Sequence, residues 1–320
     1  MARPRPSTRP DISIVVPAYN EAQNVPILHQ AISSSLRRLG RPYEIVVVDD
    51  GSRDGTYEAL LRLQKQDSHL VVIRFRKNFG QTAAMDAGFK NSRGKVIITM
   101  DADLQNDPDD IPLLLDEMER RHLDVVSGWR WPRNDPLGKK LTSLLANAIR
   151  KSLTGERIHD SGCTLKAFKK ECFDGLDLQG EMHRYIPAIL MWRGFRIGEV
   201  KVHHHPRKFG KTKYNAKRIF KGFLDLLVVK FWMQYSTRPI HLFGGLGISM
   251  FAAGTLIGLY LTVTKLLYQT SLSDRPLLLL AVVLVILGVQ FIVFGLLADI
   301  LVKLFYRDHP NYTIEAVTGR

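Results

Sequence analysis

The sequence predicts an α/β protein: a mostly parallel sheet sandwiched by helices, followed by interfacial helices and two C-terminal transmembrane helices. Three observations predict it. Strand-length apolar runs alternate with segments of helical apolar spacing from residue 11 to residue 130. One run, IVVV (45–48) within YEIVVVD (43–49), is continuously apolar up to its acid, which suits a parallel strand buried on both faces. Two later stretches, 240–263 and 277–301, are apolar and long enough to cross ~30 Å of hydrocarbon at ~1.5 Å per residue.

The elements follow in order. DISIVVPAYNE (11–21) reads as a strand that ends at Pro17, and 22–39 has helical spacing. A second strand (43–52) stops at DDGS and leads into a helix at 54–66. HLVVIRF (69–75) is a third strand and 81–91 a helix. KVIITMDAD (95–103) is a fourth strand, 109–121 a helix, and DVVSGWR (124–130) a fifth strand. Residues 137–153 read as an amphipathic helix, 181–191 as a short helix, and 194–210 as a strand and loop. In 216–235, Lys217, Arg218, Lys221 and Asp225 fall near one face, with Phe220, Phe223, Leu227 and Trp232 on the other. That pattern suits a helix lying on a bilayer, or one that covers the sheet. The expected divisions are a disordered lead-in (1–10), a sheet domain (11–215), an interfacial helix (216–238), a two-helix transmembrane domain (239–305) and a cytoplasmic tail (306–320). The lead-in is basic and Pro-rich and lacks the apolar core of a signal peptide.

The net charge of +14, from 45 Lys+Arg against 31 Asp+Glu, points to anionic partners. Arg207, Lys208, Lys211, Lys213, Lys217, Arg218 and Lys221 cluster before the first span, which favours a membrane surface or phosphate over nucleic acid. No zinc spacing or RNP-type motif supports nucleic acid. Two cysteines make no disulfide framework, as in a reducing cytoplasmic setting. The loop between the spans carries few charges and the outer flanks carry more Lys and Arg, so the sheet domain is expected on the cytoplasmic side. His203, His204 and His205 alternate faces on a strand, so all three do not converge on one metal; they read as a polar strand end. Gly244, Gly245, Gly247, Gly254 and Gly258 suggest close helix packing, and a homo-oligomer through the spans is an open expectation. Gln290 and Asp299 are polar residues in an apolar run.

Polar motifs stand at three strand ends: PAYNE (17–21), DDGS (49–52) and DADLQ (101–105). In a parallel sheet these ends converge on one crevice, where ligands bind. One such motif alone reads equally as turn and cap chemistry. No GxGxxG or Walker-type loop supports a dinucleotide or P-loop site. Asp101, Asp103 and Gln105 offer oxygen ligands to Mg2+ or Mn2+, which take one or two carboxylates and leave the rest to phosphates and water. With many cations available for phosphate, the pattern suggests a metal-bound nucleoside diphosphate. Asp107, Asp109 and Asp110 are assigned to the turn and the helix start.

The set PAYNE, DDGS, RKNFG and DADLQ resembles the family 2 glycosyltransferases with a GT-A fold. DSGCTLKAFKKE, EMHRYIP and RKFGKTKY are similar to the polyprenyl-phosphate branch, the dolichyl-phosphate mannose or glucose synthases, over about residues 11–235. The resemblance implies inverting hexose transfer from a nucleotide sugar, GDP-mannose or UDP-glucose, to a dolichyl or undecaprenyl phosphate. It implies that Pro17, Tyr19 and Glu21 help hold the nucleotide and that Asp49 and Asp50 sit at its base and ribose end. Asp101, Asp103 and Gln105 would hold metal and donor phosphates, Asp103 being catalytic, and Arg130 would meet the acceptor phosphate. Lys139, Ser143 and Asn147 match a pattern that commonly begins with Arg, and Lys lacks the bidentate fork. Arg207, Gly210, Thr212 and Lys213 match another that usually carries Ser at the position of Thr212; Arg207 and Lys213 are expected at phosphate, with lipid headgroups the other reading. A lipid monophosphate, with its second pKa near ~6, needs positioning rather than deprotonation. No general base is therefore expected to be indispensable; Asp160 is the reserve base or a sugar-pocket residue. A processive polysaccharide synthase would carry a Gln-x-x-Arg-Trp motif that this chain lacks. A nucleotidyltransferase leaves the lipid-side motifs unexplained, and intact acids at three strand ends speak against a vestigial, non-catalytic membrane adaptor.

Overall fold

The computed structural model describes residues 9–131, 155, 158–178, 180–206, 230–231, 235, 238–269 and 276–306. The segment 137–153 with Lys139, Ser143 and Asn147, the residues Arg207, Gly210, Thr212 and Lys213, and most of 216–235 lie outside the described residues. The chain forms two compact units, Met1–Val229 and Lys230–Arg320.

In the first unit the order is β1 (Ile12–Ala18), α1 (Asn24–Leu39), β2 (Tyr43–Asp49), α2 (Thr56–Gln66), β3 (Leu70–Arg74), α3 (Gln81–Asn91), β4 (Val96–Thr99), α4 (Ile111–Arg120) and β5 (Val125–Arg130). Then come β6 (Lys166–Lys169), α5 (Ile186–Trp192) and β7 (Ile197–Val202). The strands form a seven-stranded sheet in the order β3-β2-β1-β4-β6-β5-β7. It is parallel except for β6, which runs antiparallel to β4 and β5. The pleat sends alternate side chains to opposite layers. Ile14 and Val16 of β1 join Leu28, Ile32 and Leu60 in one core, with Ile111 and Leu114 of α4. Val15 joins Ala84, Met85 and Phe89 of α3 in the other, with Ile186 and Leu190 of α5. This double burial is why the strands read as continuous apolar runs.

The strand β6 was not expected. Four residues with lysines at both ends carry no period that separates strand from loop. Its neighbours make it a strand: Ala167 lies opposite Ile98 of β4 and Val126 of β5, and Ala167 and Phe168 are fully buried.

The three histidines follow β7 as a polar strand end. His204 bridges to Asn106 in antiparallel fashion. His203 Nδ1 pairs with Asp110 at 2.7 Å, and His205 Nε2 with Asp107 at 2.9 Å. Asp107 also accepts the Asp109 N–H at 3.0 Å, as a turn residue should. Asp110 is buried and makes no side-chain cap to α4; its carboxylate serves His203 instead.

The second unit contains α6 (Ile240–Tyr268) and α7 (Pro276–Tyr306), both long and apolar enough to cross a bilayer. They pack through small residues. A Cβ on Gly247 would lie 2.7 Å from the Gly288 carbonyl oxygen, and one on Gly254 2.7 Å from that of Ala281. Of the other glycines singled out, Gly244 meets only Ile240 of its own helix, and Gly245 and Gly258 have nothing within 4 Å.

The turn after β2 depends on one glycine. Gly51 has φ 69°, and a Cβ there would lie 2.4 Å from the Lys77 carbonyl carbon. Gly40 has the same φ with nothing within 4 Å. Gly51→Ala is therefore expected to destabilise the protein by ~2–3 kcal/mol, from strain plus collision, and Gly40→Ala by ~1 kcal/mol, from strain alone. Thermal denaturation of the two variants checks the difference.

Candidate active site at the carboxyl edge of the sheet

Strands β2, β1 and β4 are neighbours and parallel, with Ala18 beside Asp49 and Val15 beside Thr99. Their carboxyl ends therefore open on one edge, at the point where the chain order reverses about β1. All three acidic motifs lie on this edge.

The loop after β1 is tied to the loop after β2. Asn20, in the left-handed region at φ 56°, donates its N–H to Ser52 Oγ at 2.9 Å and accepts the Arg53 N–H at 2.9 Å. Glu21 N–H donates to Thr56 Oγ1 at 2.9 Å, and the Glu21 carboxylate accepts from Asn24 at the start of α1. Pro17 and Tyr19 are half-buried beside them.

Asp49 and Asp50 have separate duties. The Asp50 carboxylate accepts the N–H groups of Phe79 and Gly80 at 2.7 and 2.9 Å and the Asn78 amide at 2.8 Å. It thereby clamps the RKNFG loop over the end of β2. Burial raises its pKa; the Phe79 and Gly80 amides oppose that, and Asp49 reinforces it. Asp49 is fully buried, with one oxygen accepting the Ser52 N–H at 3.1 Å. Its other oxygen has no hydrogen-bond partner, and Arg74 Nε stands 3.7 Å away. That oxygen is closed off from solvent, and the Arg74 guanidinium balances its charge.

At the end of β4, Asp101 Oδ1 accepts from Gln81 Nε2 at 2.9 Å, and the Asp101 N–H reaches Asn106 Oδ1 at 3.3 Å. Asn106 Oδ1 also accepts from Thr164 Oγ1 at 2.9 Å. Asp103 is buried, and its carboxylate accepts the Gln105 N–H at 3.2 Å around Leu104, whose φ is 61°. Burial first, and then the Asp103 carboxylate, push Asp101 up to about 6, against the pull of the Thr164 hydroxyl, Lys166 and Arg130. Two carboxylates that crowd each other are hard oxygen ligands of the kind Mg2+ or Mn2+ takes, while the Gln105 carboxamide donates Nε2 toward the His205 carbonyl oxygen at 3.5 Å. The residues present fit such an ion.

Arg130, at the end of β5, forks Asp160: Nε to Oδ2 at 2.6 Å and Nη2 to Oδ1 at 2.8 Å. Both Asp160 oxygens are thus engaged by one guanidinium. Lys166 is buried, and its ammonium donates to the carbonyls of Ser161, at 3.0 Å, and Cys163, which holds the turn that carries Asp160. Lys139, Ser143, Arg207 and Lys213 lie outside the described residues. Sequence reasoning did not select Gln81, Asn106, Thr164 or Lys166. Gln81 directly follows RKNFG and Lys166 lies within DSGCTLKAFKKE, so position in or next to a motif was the available signal.

The profile of Glycosyl transferase family 2 matches residues 13–176. The chain is 42% identical over 313 residues to dodecaprenyl-phosphate galacturonate synthase of Rhizobium johnstonii, covering 96% of this chain and 93% of that protein. It is 33% identical over 312 residues to undecaprenyl-phosphate 4-deoxy-4-formamido-L-arabinose transferase of Yersinia enterocolitica, covering 96% and 94%. In fold it is similar to glucosyl-3-phosphoglycerate synthase from Mycobacterium tuberculosis, crystallised with Mn2+ and UDP-glucose: TM-score 0.54, 18% identity, 69% of this chain and 79% of that one. It is similar also to a mannosyltransferase from Pyrobaculum calidifontis in complex with GDP-Man and Mn2+: TM-score 0.51, 19% identity, 92% and 90% coverage.

The elevated Asp101 carboxyl has a defined consequence. A folded-state value of about 6, against 3.8 for the free group, favours the folded state at low pH, and that contribution is lost as pH rises through 6. Without metal, ionised Asp101 therefore weakens the fold at pH ~7.5. A bound divalent ion offsets this, so Mn2+ is expected to raise the melting temperature more at pH ~7.5 than at pH ~5. Asp101→Asn is expected to raise the metal-free melting temperature at the higher pH and to abolish the Mn2+ response. Differential scanning fluorimetry at the two pH values, with and without Mn2+, measures both.

Proposed function

The chain belongs to glycosyl transferase family 2, and from that premise we propose that it moves a glycosyl group from a nucleotide sugar to a polyprenyl monophosphate at a membrane. One observation carries this reading: Asp101, Asp103 and Gln105 after β4 and Arg130 at the end of β5 stand on the same edge of one sheet. That edge offers oxygen ligands for a metal-bound diphosphate and a guanidinium for a second phosphate. The full-length likeness to two polyprenyl-phosphate sugar transferases supports the lipid acceptor. The apolar helices α6 and α7 support membrane attachment, and the charge distribution favours a catalytic domain on the cytoplasmic face.

In this reading a lipid phosphate oxygen attacks the anomeric carbon from the face opposite the leaving group. The carbon–oxygen bond to the donor diphosphate breaks, the configuration inverts, and the nucleoside diphosphate departs. Asp101, Asp103 and Gln105 would hold a divalent ion, which when bound would neutralise the leaving diphosphate. Asp49, carried over by motif, sits under the base or ribose end and holds the Ser52 turn there, and Asp50 fixes the loop beside it. Pro17, Tyr19 and Glu21 shape the nucleotide side of the crevice. Arg130, with Lys139, Ser143, Arg207 and Lys213 carried over by motif, orients the acceptor phosphate. The nucleophile is already ionised at neutral pH, so no proton need be removed from it. Asp160 then acts by aiming Arg130 rather than as a base.

The donor is a hexose or hexuronate on UDP or GDP, and the acceptor is undecaprenyl, dodecaprenyl or dolichyl phosphate. A screen of radiolabelled UDP- and GDP-sugars, including glucose, mannose and galacturonate donors, tests the reading by transfer into organic-extractable lipid. EDTA is expected to abolish transfer. Asp103→Asn is expected to lower turnover by at least ~100-fold. Asp160→Asn is expected to lose only about tenfold, mainly as a higher KM for the lipid. Equal loss of turnover in the two variants, with donor binding intact, would return Asp160 to the role of base. No transfer from any donor would favour the non-catalytic adaptor.

A further inference from the structure

Gln290 lies next to the middle of the apolar segment Pro276–Val302 of α7, and its side chain is exposed. Among the described residues its carboxamide makes no hydrogen bond. Packing within the hairpin explains its direction. α7 meets α6 through Ala281, Gly288 and Gly295, which recur every seventh residue on one stripe. Gln290 follows Gly288 by two residues, ~200° further round the helix, and so points away from α6. The same outward stripe carries Leu279, Val283, Ile286, Val293, Leu297 and Ile300, all exposed. Their spacing alternates four and three residues, as at the a and d positions of a heptad, and Gln290 occupies an a position. Apolar residues are ordinary on a lipid-facing stripe, whereas a carboxamide at mid-depth is costly unless it is paired.

We propose that α7 packs along this stripe against α7 of a second copy of the chain, with the two Gln290 carboxamides hydrogen-bonded to each other. The proposal rests on the reading that α7 crosses the bilayer. A carboxamide carries both donor and acceptor, so two copies are self-complementary. Copies of one chain enter a membrane in the same orientation, so the two helices run parallel and Gln290 meets its own counterpart at the same depth. A single polar residue at an a position also sets the register of such a pair. The outward stripe has bulky side chains where the α6 contact has glycines, which suits side-chain interdigitation at a shallow left-handed crossing.

Cysteine cross-linking of the full-length protein in membranes tests the pairing. Cys163 and Cys172 are buried, and the unsubstituted chain serves as background. Gln290→Cys and Leu297→Cys are expected to give an oxidised dimer, and the half-buried neighbour Phe291→Cys is not. Gln290→Leu is expected to weaken self-association in vesicles about tenfold, read by energy transfer on dilution into lipid, and Gln290→Asn to retain most of it. Alkaline carbonate extraction of the same membranes separates the two levels of failure. If the chain stays in the membrane and Gln290→Cys gives no dimer, or captures a different protein, the pairing is overturned alone. Unchanged association of Gln290→Leu overturns it as well. Release by carbonate overturns the bilayer reading and the pairing together.

Discussion

The acidic edge exists because β1 lies between β2 and β4 in parallel register. That pairing places the ends of three strands side by side, and each end releases its chain into a polar motif. The pairing is held from both sides. Ile14 and Val16 anchor β1 to one helical layer and Val15 to the other, so β1 cannot shift by one residue without exchanging its two cores. Positions of acids on this edge are thus set by apolar residues several ångströms beneath them.

Gathering carboxylates in a low-dielectric crevice demands compensation, and the structure meets the demand differently at each acid. Asp50 takes two backbone amides and a carboxamide, which converts a charge into a loop clamp. Asp160 takes the Nε and Nη2 side of Arg130. Asp101 takes the Gln81 amide and the Thr164 hydroxyl and still remains raised, by burial first and then by Asp103. In the proposed reading a cation would complete the compensation of Asp101 and Asp103, and Asp50 and Asp160 act as structural supports around it. The excess of cations in the whole chain does not change this, because Coulomb terms that matter here act over a few ångströms.

Much of this was legible in the sequence, and the exceptions have physical reasons. Buried parallel strands leave continuous apolar runs, so β1, β2 and β4 and the acids beyond them could be read directly. β6 could not, because its burial depends on Ile98 and Val126, which are distant in sequence. The separate duties of Asp49 and Asp50 were also illegible. The two acids are adjacent and chemically identical, and only the fold decides which one the Phe79 and Gly80 amides reach. Gln81, Thr164 and Lys166 are single polar residues whose importance comes from the strand ends they approach. The histidine run read correctly as a strand end, but its pairing with Asp107 and Asp110 joins segments about a hundred residues apart, ~100 being far beyond any local pattern.

The two units are specified by opposite signals. In the sheet, apolarity marks what is buried, and polar residues at strand ends mark the chemistry. In α6 and α7 nearly every side chain is apolar, so hydropathy locates the helices without saying which faces meet. There the missing side chains carry the information. Gly247 and Gly254 face Gly288 and Ala281 because a Cβ at any of the glycines would strike the opposing backbone. Other glycines on the same helix, Gly245 and Gly258, touch nothing, which shows that composition alone does not mark an interface. Once the small-residue stripe is assigned to the hairpin, the direction of every other residue on α7 follows from helical geometry. A single carboxamide that points away from the only helix beside it among the described residues then becomes the most specific polar feature of the span.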